Sequence, residues 1–124
     1  MAKIEKFEDI KAWQTARDLV SAVYRISGKG KFGKDFGLRD QIRRASVSVM
    51  ANIAEGFERC SDKEFQHFLY MAKGSAGEVR SHLFVAMDLG YVTADEFHAL
   101  RSKAEIVSKA LSGFIRYLAP KKPV

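Results

Sequence analysis

The chain has little of what marks secreted and membrane proteins. It contains a single cysteine, Cys60, so no internal disulfide can form, and this favours a reducing compartment. No apolar run of about eighteen residues occurs, and the residues after Met1 lack the apolar core of a signal peptide. The sequence therefore predicts a cytoplasmic protein that does not span a membrane.

Proline is confined to positions 120 and 123, so no proline interrupts a helix before Ala119. No segment alternates apolar and polar residues over a useful length, so a β-sheet has no candidate strands. Apolar residues instead recur every three or four positions, which is typical of amphipathic helices. We predict helices over about residues 8–26, 35–57, 62–89 and 94–118.

Two hydroxyl–glutamate pairs mark predicted helix starts. Ser61 with Glu64 and Thr93 with Glu96 have the spacing of capping boxes, in which each side chain accepts a hydrogen bond from a backbone amide. Long helices joined by short connections predict an all-α fold, an antiparallel up-down four-helix bundle. We expect residues 1–119 to form this single domain and residues 120–124 to form a flexible basic tail.

Some apolar side chains fall outside the main helical stripes, and together they predict a subunit interface and a homo-oligomer. They are Met50, Phe57, Phe68, Met71, Phe84, Ile106 and Ile115. The segment Lys73–Glu78 contains two glycines within a helix. We expect it to lie close to the small residues of Ala45–Ser48 and Ala51–Asn52, because glycines let helices approach closely.

Positive charge is concentrated in residues 25–44, where seven basic and two acidic side chains give +5 of the chain's net +6. Such a field attracts polyanions, nucleic acid first among them. We predict a nucleic-acid-binding site at Lys29, Lys31, Lys34, Arg39, Arg43 and Arg44. Only Phe32 and Phe36 are candidates for stacking on bases.

Two alternatives to this site stay open. The lysines can belong to a merely solvated loop. Arg43 or Arg44 can instead be structural and pair with Glu55 or Glu78 in a polar network that fixes the helix register.

The segment Gly28–Asp35 nearly fits two phosphate-binding patterns, but both patterns require a preceding strand, and here a helix precedes. Asp35 also replaces the hydroxyl residue that would hold magnesium. We therefore interpret the segment as a flexible basic interhelical loop.

No pattern indicates catalysis or metal binding. The pairs Glu64 with His67 and Asp95 with His98 start different antiparallel helices, which places them too far apart to share a metal. The remaining histidine, His82, has no paired nucleophile. We expect no catalytic residue, no cofactor and no metal, and hence no enzyme.

Three segments, Phe7–Ala16, Gln41–Arg59 and Ala72–Glu78, resemble the four-helix-bundle family first found encoded in intervening sequences of bacterial 23S ribosomal RNA. The most specific part is the Asn-Ile-Ala-Glu-Gly core at residues 52–56. The resemblance implies a cytosolic four-helix bundle, commonly a homopentamer. It also implies similarity in fold to the accessory protein of diversity-generating retroelements, which assists a reverse transcriptase and binds nucleic acid.

The leading hypothesis is a non-enzymatic, homo-oligomeric bundle that binds RNA or DNA, with RNA the expected ligand, through the first interhelical loop and the start of the second helix. The alternative is a protein-interaction scaffold or accessory subunit that docks a partner such as a polymerase.

Overall fold

The computed structural model describes residues 4–120, and within them the regular structure is entirely helical. The elements in chain order are a 3₁₀ turn at Phe7–Asp9, then α1 (Lys11–Ser27), α2 (Gly30–Lys34), α3 (Phe36–Glu58), α4 (Asp62–Asp88) and α5 (Ala94–Leu118). Beyond Pro120, the predicted basic tail lies outside the described residues. Of the helices in the described range, none is long and apolar enough to cross a membrane.

The two predicted capping boxes form to different extents. At the start of α5, the Thr93 amide donates to the Glu96 carboxylate at 2.8 Å, and the Glu96 amide donates to the Thr93 hydroxyl at 3.1 Å. At the start of α4, the Ser61 hydroxyl accepts from the Glu64 amide at 3.1 Å. The Glu64 carboxylate lies 3.9 Å from the Arg59 guanidinium, so the expectation of a reciprocal box there is wrong. The nearby cation competes with the backbone for that carboxylate.

The four long helices pack in the cyclic order α1, α3, α4, α5 around one core. Helices α4 and α5 are antiparallel: Gln66 near the start of α4 donates to the Ile115 carbonyl near the end of α5 at 3.1 Å. At the other end, Phe84 packs edge-on against Phe97 with ring centroids 5.0 Å apart. The core is built from the residues spaced three and four apart; its fully buried members include Leu19, Val23, Ile42, Val49, Ile53, Leu69, Val79, Leu83, Val107 and Leu111.

Helices α3 and α4 lie close together along their length. The hydroxyls of Ser48 and Ser75 share a hydrogen bond of 3.0 Å, which confirms the expected contact between the small-residue segments. The role expected of the glycines is wrong, because a Cβ at Gly74 would meet nothing within 4 Å and one at Gly77 would meet only the Arg80 guanidinium of the same helix, at 3.8 Å. Close approach instead requires Gly56, where a Cβ would lie 2.6 Å from the Phe68 Cβ and 2.9 Å from the Phe65 ring.

The apolar side chains outside the stripes divide into two groups. Ile115 is buried, Met50 and Phe57 pack against the core, and Phe68 is partly buried. In contrast, Met71 and Phe84 on α4 remain nearly half exposed, as does Ile106 on α5. The bundle core therefore accounts for only part of the apolar surplus.

We predict opposite effects of alanine at Gly56 and Gly113. Gly56→Ala should lower the free energy of unfolding by about 1–3 kcal/mol, because the new methyl group collides with two phenylalanines packed between α3 and α4. Gly113→Ala is the matched control and should raise the free energy of unfolding by about 0.5–1 kcal/mol through helix propensity, because a Cβ there would meet nothing within 4 Å. Urea denaturation monitored by circular dichroism measures both, and equal stabilities of the two variants would contradict the packing argument.

Candidate nucleic-acid interface

The connection between α1 and α3 is not a flexible loop. Its middle forms the five-residue helix α2, and Phe32 in that helix is fully buried. The Phe32 ring stacks on Tyr91, which lies between α4 and α5, with centroids 5.5 Å apart and an interplanar angle of 29°. The prediction of a flexible loop is therefore wrong, because a single aromatic anchor fixes the segment to the bundle. Burial also removes Phe32 from the candidates for base stacking.

Asp35 fastens the junction between α2 and α3 through both carboxylate oxygens. Its Oδ1 accepts from the Leu38 amide at 3.1 Å and so caps α3. Its Oδ2 accepts from the Tyr91 hydroxyl at 2.9 Å. Asp35 thus joins the start of α3 to Tyr91, the same residue on which Phe32 stacks.

Two glycines of this segment, Gly33 and Gly30, have structural roles. A Cβ at Gly33 would lie 2.7 Å from the Gly28 carbonyl oxygen, so α2 can fold back against the end of α1 only without a side chain there. Close backbone approach thus accounts for Gly33, whereas Gly30 has a φ of +50°, a backbone conformation that favours glycine.

Three lysines surround this anchored turn. Lys29, Lys31 and Lys34 are exposed, and none forms an ion pair with any residue between positions 4 and 120. Because α2 is fixed by Phe32, the backbone that carries these ammonium groups is held in place while the groups themselves remain in water.

Arg39 and Arg43 are partly buried and tie neighbouring helices together. The Arg39 guanidinium donates to the Gly33 carbonyl at 3.2 Å and to the Asp40 carboxylate at 3.0 Å. The Arg43 guanidinium donates to the Ser27 hydroxyl at 2.8 Å and to the Tyr24 carbonyl at 3.2 Å. Arg39 therefore joins α2 to α3, and Arg43 joins α1 to α3.

Arg44 differs from its neighbour because it is exposed and forms no ion pair among residues 4–120. The expected pairing with Glu55 is wrong, since Glu55 binds Arg59, the residue just past the end of α3, at 3.0 Å. Arg44 instead borders a polar cleft of about 460 Å³ between α3 and α4, together with Glu78 and His82. The alternative of a structural arginine thus applies to Arg43.

The fold adds two cations that the predicted site does not contain. Arg25 and Lys103 surround a hollow of about 240 Å³ between α1 and α5, beside Lys29 and Glu96. Arg25 belongs to the basic stretch of the sequence, but no sequence signal connects Lys103 to it. Only the packing of α5 against α1 brings Lys103 to this surface.

Side chains that could hold a metal do not converge on this surface. Across residues 4–120, no group of three or more histidine, cysteine or acidic side chains is close enough to bind one ion. The chemistry available at the interface is that of exposed cations next to partly exposed aromatic rings.

The hydrogen bond to Asp35 raises the pKa of Tyr91 above its ordinary value of 10.0, with smaller contributions from burial and from repulsion by the carboxylate charge. A raised pKa means that the folded protein keeps this proton when the unfolded chain has already lost it. The contribution of the neutral tyrosine to the stability of the fold is therefore complete below pH 10. It declines as the pH rises through the higher pKa of the folded state.

We predict that Tyr91→Phe removes this pH-dependent component. The variant should be less stable than the wild type at neutral pH, because Asp35 loses a hydrogen bond, and the difference should shrink as the pH rises above 10. Unfolding by urea at pH values from 7 to about 11 measures the difference in the free energy of unfolding between the two proteins. A difference that stays constant across this range would contradict the assignment.

Known proteins include a family and solved structures that are similar to this chain. The family model described as 23S rRNA-intervening sequence protein matches residues 8–113. The crystal structure of a protein of unknown function from the S23 ribosomal protein family of Bacteroides thetaiotaomicron is similar, with a TM-score of 0.78 at 21% identity. The match covers 85% of this chain and 98% of that one, and it supports the fold alone. No curated protein matches the sequence.

Proposed function

Because this chain belongs to the family of 23S rRNA-intervening sequence proteins, we propose that it is a non-enzymatic cytoplasmic bundle that binds nucleic acid, RNA in particular. The observation that carries the proposal is the set of exposed cations on the anchored α2 turn and the adjoining α3. The family description, which names a ribosomal RNA, favours RNA over DNA.

The proposed contacts are with phosphates. Lys29, Lys31, Lys34 and Arg44 have no carboxylate partner among the described residues, so binding a phosphate does not require an existing ion pair to break. Fixed backbone positions also reduce the entropy lost when the side chains become ordered on a ligand. Phosphate contacts carry no base information, so this part of the binding is largely indifferent to sequence.

We predict that affinity for RNA depends on salt through these four cations. If each neutralises one phosphate, the logarithm of the association constant should fall with the logarithm of salt concentration at a slope of about −3 per subunit. A quadruple variant should lose most of this slope and bind at least about tenfold more weakly near 0.1 M salt. The substitutions are Lys29→Gln, Lys31→Gln, Lys34→Gln and Arg44→Gln. Fluorescence anisotropy with a labelled RNA measures both quantities.

A second quadruple variant removes the same charge from other exposed positions and serves as the control. Its substitutions are Lys6→Gln, Lys11→Gln, Lys109→Gln and Arg116→Gln, all away from α4. Equal weakening in both variants would mean that net charge, and not this surface, attracts RNA. A wild-type protein that binds no RNA but captures a partner protein would instead support the scaffold alternative.

We also propose that the subunits assemble, into a pentamer as the sequence resemblance implies, through the outer face of α4. Tyr70, Met71, Phe84 and Val85 are exposed on this helix. Gly74 lies between them, and a Cβ there would meet nothing within 4 Å. A glycine within a helix costs about 1 kcal/mol relative to alanine, and close contact with a second subunit would account for that cost. Assembly would bury the apolar groups and repeat the basic surface around the symmetry axis, which strengthens binding by avidity.

We predict that Met71→Glu reduces the assembled mass to that of a monomer, because a carboxylate on the buried contact face would lose its hydration. Ser102→Glu places the same charge on an exposed position of α5 and should leave the mass unchanged. Size-exclusion chromatography with light scattering measures the mass. A wild-type monomer at micromolar concentration, or assembly that survives Met71→Glu, would contradict this interface.

A further inference from the structure

Two exposed aromatic rings adjoin the cations of this surface. Phe36 at the start of α3 is 62% exposed, and Tyr24 near the end of α1 is 43% exposed. Each ring carries a guanidinium on it: the Cζ of Arg39 lies 4.6 Å from the Phe36 centroid, and the Cζ of Arg43 lies 4.6 Å from the Tyr24 centroid. The rings are therefore flat apolar surfaces set among positive charges and in contact with water.

These two rings and two arginines form a row along one face of α3. Phe36, Arg39 and Arg43 are three and four residues apart, so they lie on successive turns, and Tyr24 reaches the same row from α1. Hydrogen bonds to Gly33, Asp40 and Ser27 hold the two guanidiniums in place. The stacked rings are thereby held as well, and a ligand that stacks on them meets a surface that is already ordered.

A shallow hollow adjoins Tyr24 at one end of the row. Its volume is about 390 Å³, and it is lined by Tyr24, Asp40, Arg43, Arg44 and Val47. The ring, the guanidinium plane and the partly exposed valine suit the flat face of a base. Arg44 suits a phosphate, and the Asp40 carboxylate repels phosphate but accepts hydrogen bonds from the exocyclic amino groups of bases.

We infer that Phe36, Tyr24 and their arginines form a base-stacking site for single-stranded nucleic acid. The inference rests on the proposed function and deepens it by naming the form of the ligand. In a duplex the faces of the bases are covered by their neighbours, whereas unpaired bases can stack on aromatic rings and guanidinium planes. From Phe36 to Arg43 the row extends about 10 Å along α3, or about three nucleotides at ~3.4 Å each.

The test compares single-stranded and duplex RNA of the same sequence, for the wild type and for Tyr24→Leu and Phe36→Leu. Both substitutions keep an apolar side chain and change no charge. Each should weaken binding of the single strand about fivefold or more, leave the salt slope unchanged, and change duplex binding less than about twofold. An oligonucleotide that contains 2-aminopurine reports the stacking directly, because its fluorescence should fall on the wild type and fall less on Tyr24→Leu.

Tyr117→Leu is the matched control, since this exposed tyrosine lies at the far end of α5 from the basic surface and should bind like the wild type. Single-strand binding that is unaffected by both substitutions, or a wild-type preference for duplex, would overturn the stacking site while a salt-dependent affinity left the proposed function standing. Absence of salt-dependent binding to either form would overturn both.

Discussion

Phe32 is fully buried against the ring of Tyr91, and this contact holds the basic turn in place. Without it, five residues between two long helices would have little reason to remain helical, because a single turn of helix is unfavourable by itself. Tyr91 secures the same turn a second time through its hydrogen bond to Asp35, which also caps α3. The connection between α4 and α5 thus determines where the lysines of α2 lie.

The cations of this region divide by residue type and by role. Arg39 and Arg43 each make several directed hydrogen bonds and stack on a ring, which suits a planar guanidinium with donors in a fixed fork. The lysines instead remain solvated on flexible stems. Arg39 and Arg43 therefore hold α2 and α1 against α3, and the solvated lysines provide charge that remains free to move. Arg44 is the exception, because α3 turns it away from the α1 contact that holds Arg43.

Packing between α3 and α4 uses small residues in two different ways. Gly56 is required because two phenylalanines of α4 occupy the space where its side chain would be. Ser48 and Ser75 hold the middle of the same interface through one hydrogen bond between hydroxyls. Gly74, the residue before Ser75, lies about 100° around α4 from it, and a Cβ there would meet nothing within 4 Å. The proposed subunit contact gives that glycine a role that the isolated bundle does not.

The sequence by itself determined the all-helical character, since the spacing of apolar residues, the capping residues and the scarcity of proline act locally along the chain. It also located the concentration of positive charge, because Lys29, Lys31, Lys34 and Arg44 lie close together along the chain. The structure leaves all four exposed. Only the tertiary structure decided that α2 is anchored, that Arg43 is structural and that Lys103 joins the basic surface. The physical reason is that Phe32 and Tyr91, Arg43 and Ser27, and Lys103 and Lys29 are distant in sequence. Their proximity depends on how the helices pack, and no local pattern records it.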